Sequence, residues 1–266
     1  MKPAPPVELA ARSIDEVIDR LTWIVDWAKN TRSRIGYFAA LYRSVTIQIR
    51  DEIRREHLDD AQRMERFVVV FANRYLEAVA LLRRGASLSR VWAFAFKTTD
   101  SYWPIVLQHL LLGMNAHINL DLGIAAAQIM KGADLEGLHA DFDRINGILA
   151  ARVDDVQNEL AHVWTALRVF NGVLGNIDDE LIKFSIQKAR DEAWRSAERL
   201  WNAPEADWPS VIDTQDKRMM VIARLVRRPE FFLTAVMRIV RIGEVQNVSR
   251  VINILTSRNN ANPRLE

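Results

Sequence analysis

The sequence predicts an all-α protein, a single-domain multi-helix bundle built around a buried central helix at about residues 104–130. Three observations carry that expectation. Apolar residues recur at helical spacing along the chain, and no useful stretch alternates with the period of a strand. The segment Ser101–Met130 holds no Lys or Arg, and its one proline, Pro104, sits where a helix start accepts it. The interruptions between periodic segments fall at Gly and Pro.

Taken in order, Ser13-Ile-Asp-Glu16 reads as a capping box opening a first helix with Leu21, Ile24 and Trp27 on one face. A second helix spans about Arg34 to His57. A third, from about Asp59 to Arg84, carries Phe67, Val70, Phe71, Tyr75, Ala78 and Val79 and ends at Gly85. A short segment with Val91, Trp92, Phe94 and Phe96 leads into the central helix. Lys131-Gly-Ala133 is a tight connection, and a long helix is expected from about Asp134 towards Phe170. Residues Asn171–Asp179 read as a loop, followed by a helix to about Trp201 and a proline-marked loop, Asn202–Pro209. Three shorter helices close the chain, broken near Pro229 and Gly243. Residues 1–10 are expected to be a disordered N-terminus, 11–258 one helical domain, and 259–266 a flexible tail.

The composition narrows the function. The formal charge is +2 and charges of both signs interleave, so the pI of about 9.0 argues for no nucleic-acid partner. Without cysteine the chain has no thiol nucleophile, zinc ribbon or iron–sulfur cluster. No transmembrane segment is expected: the Ser101–Met130 run is long enough, but two His, two Asn and an Asp mark it as a buried helix. The N-terminus lacks a signal-peptide apolar region, which makes a cytoplasmic location the expectation. Phosphate loops, nucleophile elbows and His-Glu-x-x-His are absent from the sequence.

The central helix carries the candidate site. At 100° per residue, His109, Gly113, His117 and Asp121 share one face, while Gln108, Asn115 and Asn119 gather on the opposite one. Polar groups in so apolar a helix need partners. His117 and Asp121, one turn apart, have the types and spacing to chelate a divalent metal such as Zn, Mn or Fe. A second His-x-x-x-Asp follows at His139 and Asp143. In an antiparallel hairpin turning near residues 131–133, Asp121 lies about nine residues before the turn and Asp143 about ten after it, at matching levels. Asn146 falls near the level of His117. His109, two turns away, is the candidate acid or base rather than a ligand. Elsewhere, Arg74 sits in apolar company and needs an anion, and Arg190 with Trp194, beside Asp191, has the spacing of a pocket wall. The basic, amphipathic stretch Arg224–Arg241 reads as a packed helix with arginines outside, though such a pattern also suits a membrane surface or acidic partner.

Four segments together resemble a bacterial all-helical family, domain of unknown function 5995: Ala72-Asn-Arg-Tyr-Leu-Glu-Ala78, Gly113-Met-Asn-Ala-His-Ile-Asn-Leu-Asp-Leu122, Asp141-Phe-Asp-Arg-Ile-Asn146 and Ala189-Arg-Asp-Glu-Ala-Trp194. The likeness runs from about residue 15 to 255. It implies a single helical domain and no particular activity. By it, Arg74, His109, Asn115, His117, Asn119, Asp121, Asp141, Asn146 and Asp191 are motif positions. The resemblance thus points to Asp141, the hairpin geometry to Asp143.

Three readings stay open from the sequence. One is a metal-assisted hydrolase or lyase on a small molecule, with His117, Asp121 and Asp141 or Asp143 holding one divalent metal. Another is a binding protein for a small amphiphilic ligand, oriented by Arg74, Asn115, Asn119, Asn146, Arg190, Asp191 and Trp194. The third is a polar cluster that only sets helix register.

Overall fold

The computed structural model describes residues 9–55, 60–140, 142–143, 177–229 and 231–256, and these are helical with no strand among them. The helices are α1 (Ile14–Thr31), α2 (Ile35–Arg54), α3 (Ala61–Arg84), α4 (Arg90–Thr98), α5 (Val106–Ala116), α6 (Gly123–Ile129), α7 (Ile177–Asn202), α8 (Trp208–Arg227), α9 (Phe231–Gly243) and α10 (Val248–Thr256). Between α5 and α6 the chain makes a π-helical turn, His117–Leu122, so that Val106–Ile129 is one continuous column. That column is the one helix among the described residues long and apolar enough to cross a membrane, and 83% of the relevant window is buried inside the fold. It is the core helix: α2, α3, α4, α7 and α8 surround it, with α1 and α10 packed behind α2.

Local signals explain the ends. Ser13 Oγ accepts from Glu16 N at 3.2 Å, as a capping box requires, but Glu16 reaches back to Arg12 N at 2.9 Å instead of to Ser13 N. Asp60 caps α3 through Arg63 N. Gly85 closes α3 at φ 65°, a left-handed conformation that suits glycine. Pro209 sits in the first turn of α8, where its missing N–H costs nothing.

Residues 9–11 already pack on the fold. Leu9 is 2% exposed, and Asn73 of α3 bonds both the N–H and the carbonyl of Ala11. After the Lys131–Ala133 turn, Leu135–Leu138 forms a 3-10 turn where the sequence suggested the start of a long helix. Most of that expected helix lies outside the described residues, as do positions 171–176 of the expected Asn171–Asp179 loop; its last three positions, from Ile177, already belong to α7.

Small residues set how close the column comes to its neighbours. A Cβ at Gly123 would lie 2.6 Å from the Ala193 carbonyl oxygen and 2.9 Å from Ser196 Cβ on α7. Gly123→Ala is therefore expected to cost about 1–3 kcal/mol, because a backbone oxygen cannot rotate away as a side chain can. Urea unfolding of the variant checks this; wild-type stability would mean that α7 shifts freely.

Candidate functional site

Both polar faces predicted on the central helix exist, and they do different things. Asn115 Nδ2 donates to the Met219 carbonyl of α8 at 3.1 Å, and Asn119 Nδ2 donates to Asn115 Oδ1 at 2.9 Å. Gln215 Nε2 donates to the Asn119 carbonyl inside the π turn, and Gln108 Nε2 donates to the Val226 carbonyl at 2.7 Å. This face is spent on α8. Asn115 and Asn119, expected to orient a ligand, instead meet α8 and each other: the Asn115 amide is answered by a main-chain carbonyl of α8, the Asn119 amide by the Asn115 side chain, and the Asn119 carbonyl by Gln215 of α8.

The opposite face holds the unusual chemistry. His117 and Asp121 are 2% and 1% exposed. Asp121 Oδ2 accepts from Trp92 Nε1 at 2.9 Å and lies 3.3 Å from His117 Nδ1; its Oδ1 lies 3.4 Å from Arg74 Nε. A carboxylate has only acceptors, so His117 donates from Nδ1 and its Nε2 carries the lone pair. Burial lowers the His117 pKa below the usual value against the opposing pull of Asp121, with Arg74 adding to the lowering; the ring is neutral near pH 7.

Aromatic rings from three helices enclose that imidazole. Phe71 of α3 stacks on it at 3.8 Å between centroids, and Tyr42 of α2 meets it edge-on at 4.6 Å. Phe38, Tyr75 and Trp92 complete the enclosure. Phe38 reaches in because position 113 is glycine: a Cβ there would sit 2.5 Å from the Phe38 ring. Three buried polar atoms in this cluster have no hydrogen-bond partner, namely His117 Nε2, Tyr42 Oη and Tyr75 Oη. Desolvation raises both phenol pKa values well above the ordinary one, with the Asp121 charge adding to that of Tyr42, so both remain donors. Phe71 and Arg74, half-buried on the outer side, are the members of the cluster that reach solvent.

The other predicted site residues are elsewhere. His109 is buried against Tyr37, with Phe38 and Gly113 between it and His117. Desolvation, then Arg34, Arg241 and Arg227, push its pKa down to about 3; the Pro104 carbonyl opposes this without reaching hydrogen-bond geometry, and both ring nitrogens lack a partner. Asp143 does not join Asp121. It is 63% exposed and pairs at 3.8 Å with His139, because Leu135, Leu138 and Phe142 take the inward positions of their segment. Asp141 and Asn146 lie outside the described residues. Arg190 and Trp194 form a separate cluster: Arg190 donates to the Phe142 carbonyl and lies over its ring, while Trp194 stacks on His139. Burial lowers the Arg190 pKa to about 9, Asp143 opposing. Asp191 faces solvent.

Among the described residues no three His, Asp or Glu side chains gather as metal ligands. Among the described residues the donor set at His117 is one imidazole and one carboxylate, the carboxylate already holding an indole N–H and facing a guanidinium, two ligands where a structural or catalytic metal site takes at least three. Sequence reasoning missed Tyr42, Trp92 and the partnership of Arg74 with Asp121. The signal available was the aromatic spacing of α2 and α3, which also fits an ordinary core.

No curated protein and no solved structure matches the chain. A family model described as a family of unknown function, DUF5995, matches residues 14–229, most of the chain's length, and the protein belongs to that family.

Proposed function

We propose that the protein binds a small polar molecule within the aromatic enclosure around His117. The observation that supports this reading is that three buried polar atoms without partners, His117 Nε2 and the hydroxyls of Tyr42 and Tyr75, belong to rings packed in one cluster. Buried polar groups normally find partners, and a site with one acceptor and two donors matches a hydroxyl- or carbonyl-bearing ligand with an apolar body. Arg74 and Phe71 mark the side of entry. The dyad adds a chemical capacity: a neutral imidazole held by a carboxylate is a base, which supports a metal-free proton transfer on the bound molecule as the second reading.

Native mass spectrometry of tag-free protein, with Tyr42→Phe and Tyr75→Phe alongside, tests the proposal. A retained small molecule in the wild type, lost in either variant, is expected. The folded stability of the ligand-free variants should be unchanged or up to about 1 kcal/mol higher, since each loses an unpaired buried hydroxyl. A clean wild-type spectrum together with a stability loss of about 1 kcal/mol or more in both variants would instead assign the hydroxyls to the packing of the core.

A further inference from the structure

One end of the fold concentrates positive charge and exposed apolar side chains in a way that the buried site does not use. A groove of about 600 Å³ between α4 and the end of α8 is lined by Lys97, Arg224, Arg227 and Arg228, with Phe94, Val221 and Leu225 among its walls. A second groove, of about 420 Å³, shares Arg227 and Arg228 and adds Trp103, Met237 and Arg238. Among the described residues neither is lined by a carboxylate. Among the described residues none of these five cations has an acidic partner, while Arg238 lies 5.5 Å from the centre of the Trp103 ring. Glu230 lies outside the described residues.

The apolar component is just as uneven. Among the described residues the large hydrophobic side chains left exposed are Tyr102 and Trp103, Val221, Ile222 and Leu225 of α8, Ile239 and Ile242 of α9, and, away from these, Trp201. Val221 and Leu225, one turn apart on α8, are 57% and 63% exposed; Ile239 and Ile242 on α9 are 63% and 72% exposed. Tyr102 and Trp103 lie under the guanidinium groups of Arg241 and Arg238, which belong to α9 as Ile239 and Ile242 do. Branched aliphatic side chains standing in solvent, flanked by aromatics and interleaved with Arg and Lys, are the pattern of a surface that lies in a lipid interface. Helix C-termini attract cations on their own account, which explains Lys97 and Arg227 but neither Arg238 nor the exposed isoleucines.

We propose that this face docks on an anionic phospholipid surface, its cations meeting the lipid phosphates and its aliphatic side chains entering the headgroup boundary. Charge complementarity selects that occupant. A second copy of the chain would bring the same unpaired cations together, and a nucleic acid would leave the isoleucines and valine without apolar partners. Partial burial, with the Arg228 charge adding to it, lowers the Arg227 pKa, which agrees with a face that awaits anions.

Co-sedimentation of the full chain with vesicles tests the proposal. Phosphatidylcholine vesicles containing phosphatidylglycerol should take up the protein at low salt, and pure phosphatidylcholine vesicles should not. Arg224→Gln with Arg228→Gln should weaken partitioning roughly thirtyfold, at about fivefold per cation near the surface. Ile239→Ser with Ile242→Ser should weaken it at a salt concentration where the remaining attraction is screened. All four positions are exposed, so unchanged melting curves accompany each result. Equal uptake by both vesicle types, no uptake, or unaltered uptake by the arginine variant overturns the proposal. So does tighter binding to an oligonucleotide than to the anionic vesicles. Uptake that is insensitive to the isoleucine changes overturns the insertion of α9.

Discussion

Replacing Glu244 by alanine is expected to destabilise the fold by about 3–5 kcal/mol, the largest effect of any single side-chain removal proposed for this protein. Glu244 is fully buried, and it joins two elements that are far apart in sequence. One carboxylate oxygen accepts from Val106 N at 2.9 Å, the first N–H of the central column; the other accepts from Arg241 Nη1 at 2.9 Å. Arg241 in turn donates from Nε to the Tyr102 carbonyl at 2.6 Å. Removing the carboxylate leaves a buried guanidinium uncompensated and a helix N-terminus without its acceptor. Glu244→Gln retains an acceptor for Val106 and should cost less, which separates the two contributions. Glu244→Leu combined with Arg241→Met should recover much of the loss, because a matched apolar pair needs no desolvation. Equilibrium unfolding in urea measures all three. If the alanine variant stays within about 1 kcal/mol of wild type, the pair is energetically equivalent to a surface ion pair.

The second large effect is a loss of stability in acid that His109→Phe should relieve. The folded pKa of His109 is about 3, against an ordinary 6.5, so the folded state excludes a proton that the unfolded chain binds. Above pH 6.5 the ring is neutral in both states and contributes nothing to the pH dependence. As pH falls from 6.5 towards 3, the unfolded state gains protons first and stability drops, by roughly 3 kcal/mol on reaching a pH of about 4. His117, also lowered, acts in the same direction. Phenylalanine retains the ring contact with Tyr37 and cannot titrate, so the acid limb of the variant should be shallower. Superimposable acid limbs for the two proteins would remove His109 as the cause.

The two histidines of one predicted face thus have separate roles, and the reason is visible in the packing. Their spacing on the column is as the sequence implied, but α2 crosses between them and inserts Phe38 over Gly113. His109 is left among Tyr37, Arg34 and Arg241, with its charge suppressed. His117 is left with Asp121, where the π turn and the Trp92 indole hold the carboxylate. No periodicity in the sequence announces a π turn, because its residues follow the same apolar pattern as the α-helix around them.

The same division runs through the rest of the molecule. Helical class, the run of helices up to the central column and after residue 208, the breaks at Gly85, Pro229 and Gly243, the burial of the central column and the shared face of His117 and Asp121 were legible in the sequence. Each depends on residues close in the chain, and spacing determines which of them share a face. The tertiary structure alone decided which polar groups would be answered. Asn115 is bonded to α8 and Asn119 to Asn115, Asp143 faces outward while Phe142 is buried, Arg74 finds Asp121, and Arg241 of the basic C-terminal stretch is buried on Glu244. Those partners come from helices far away in sequence, and whether a buried polar atom is satisfied depends on distances of a few ångströms across such contacts, on which local patterning has no hold.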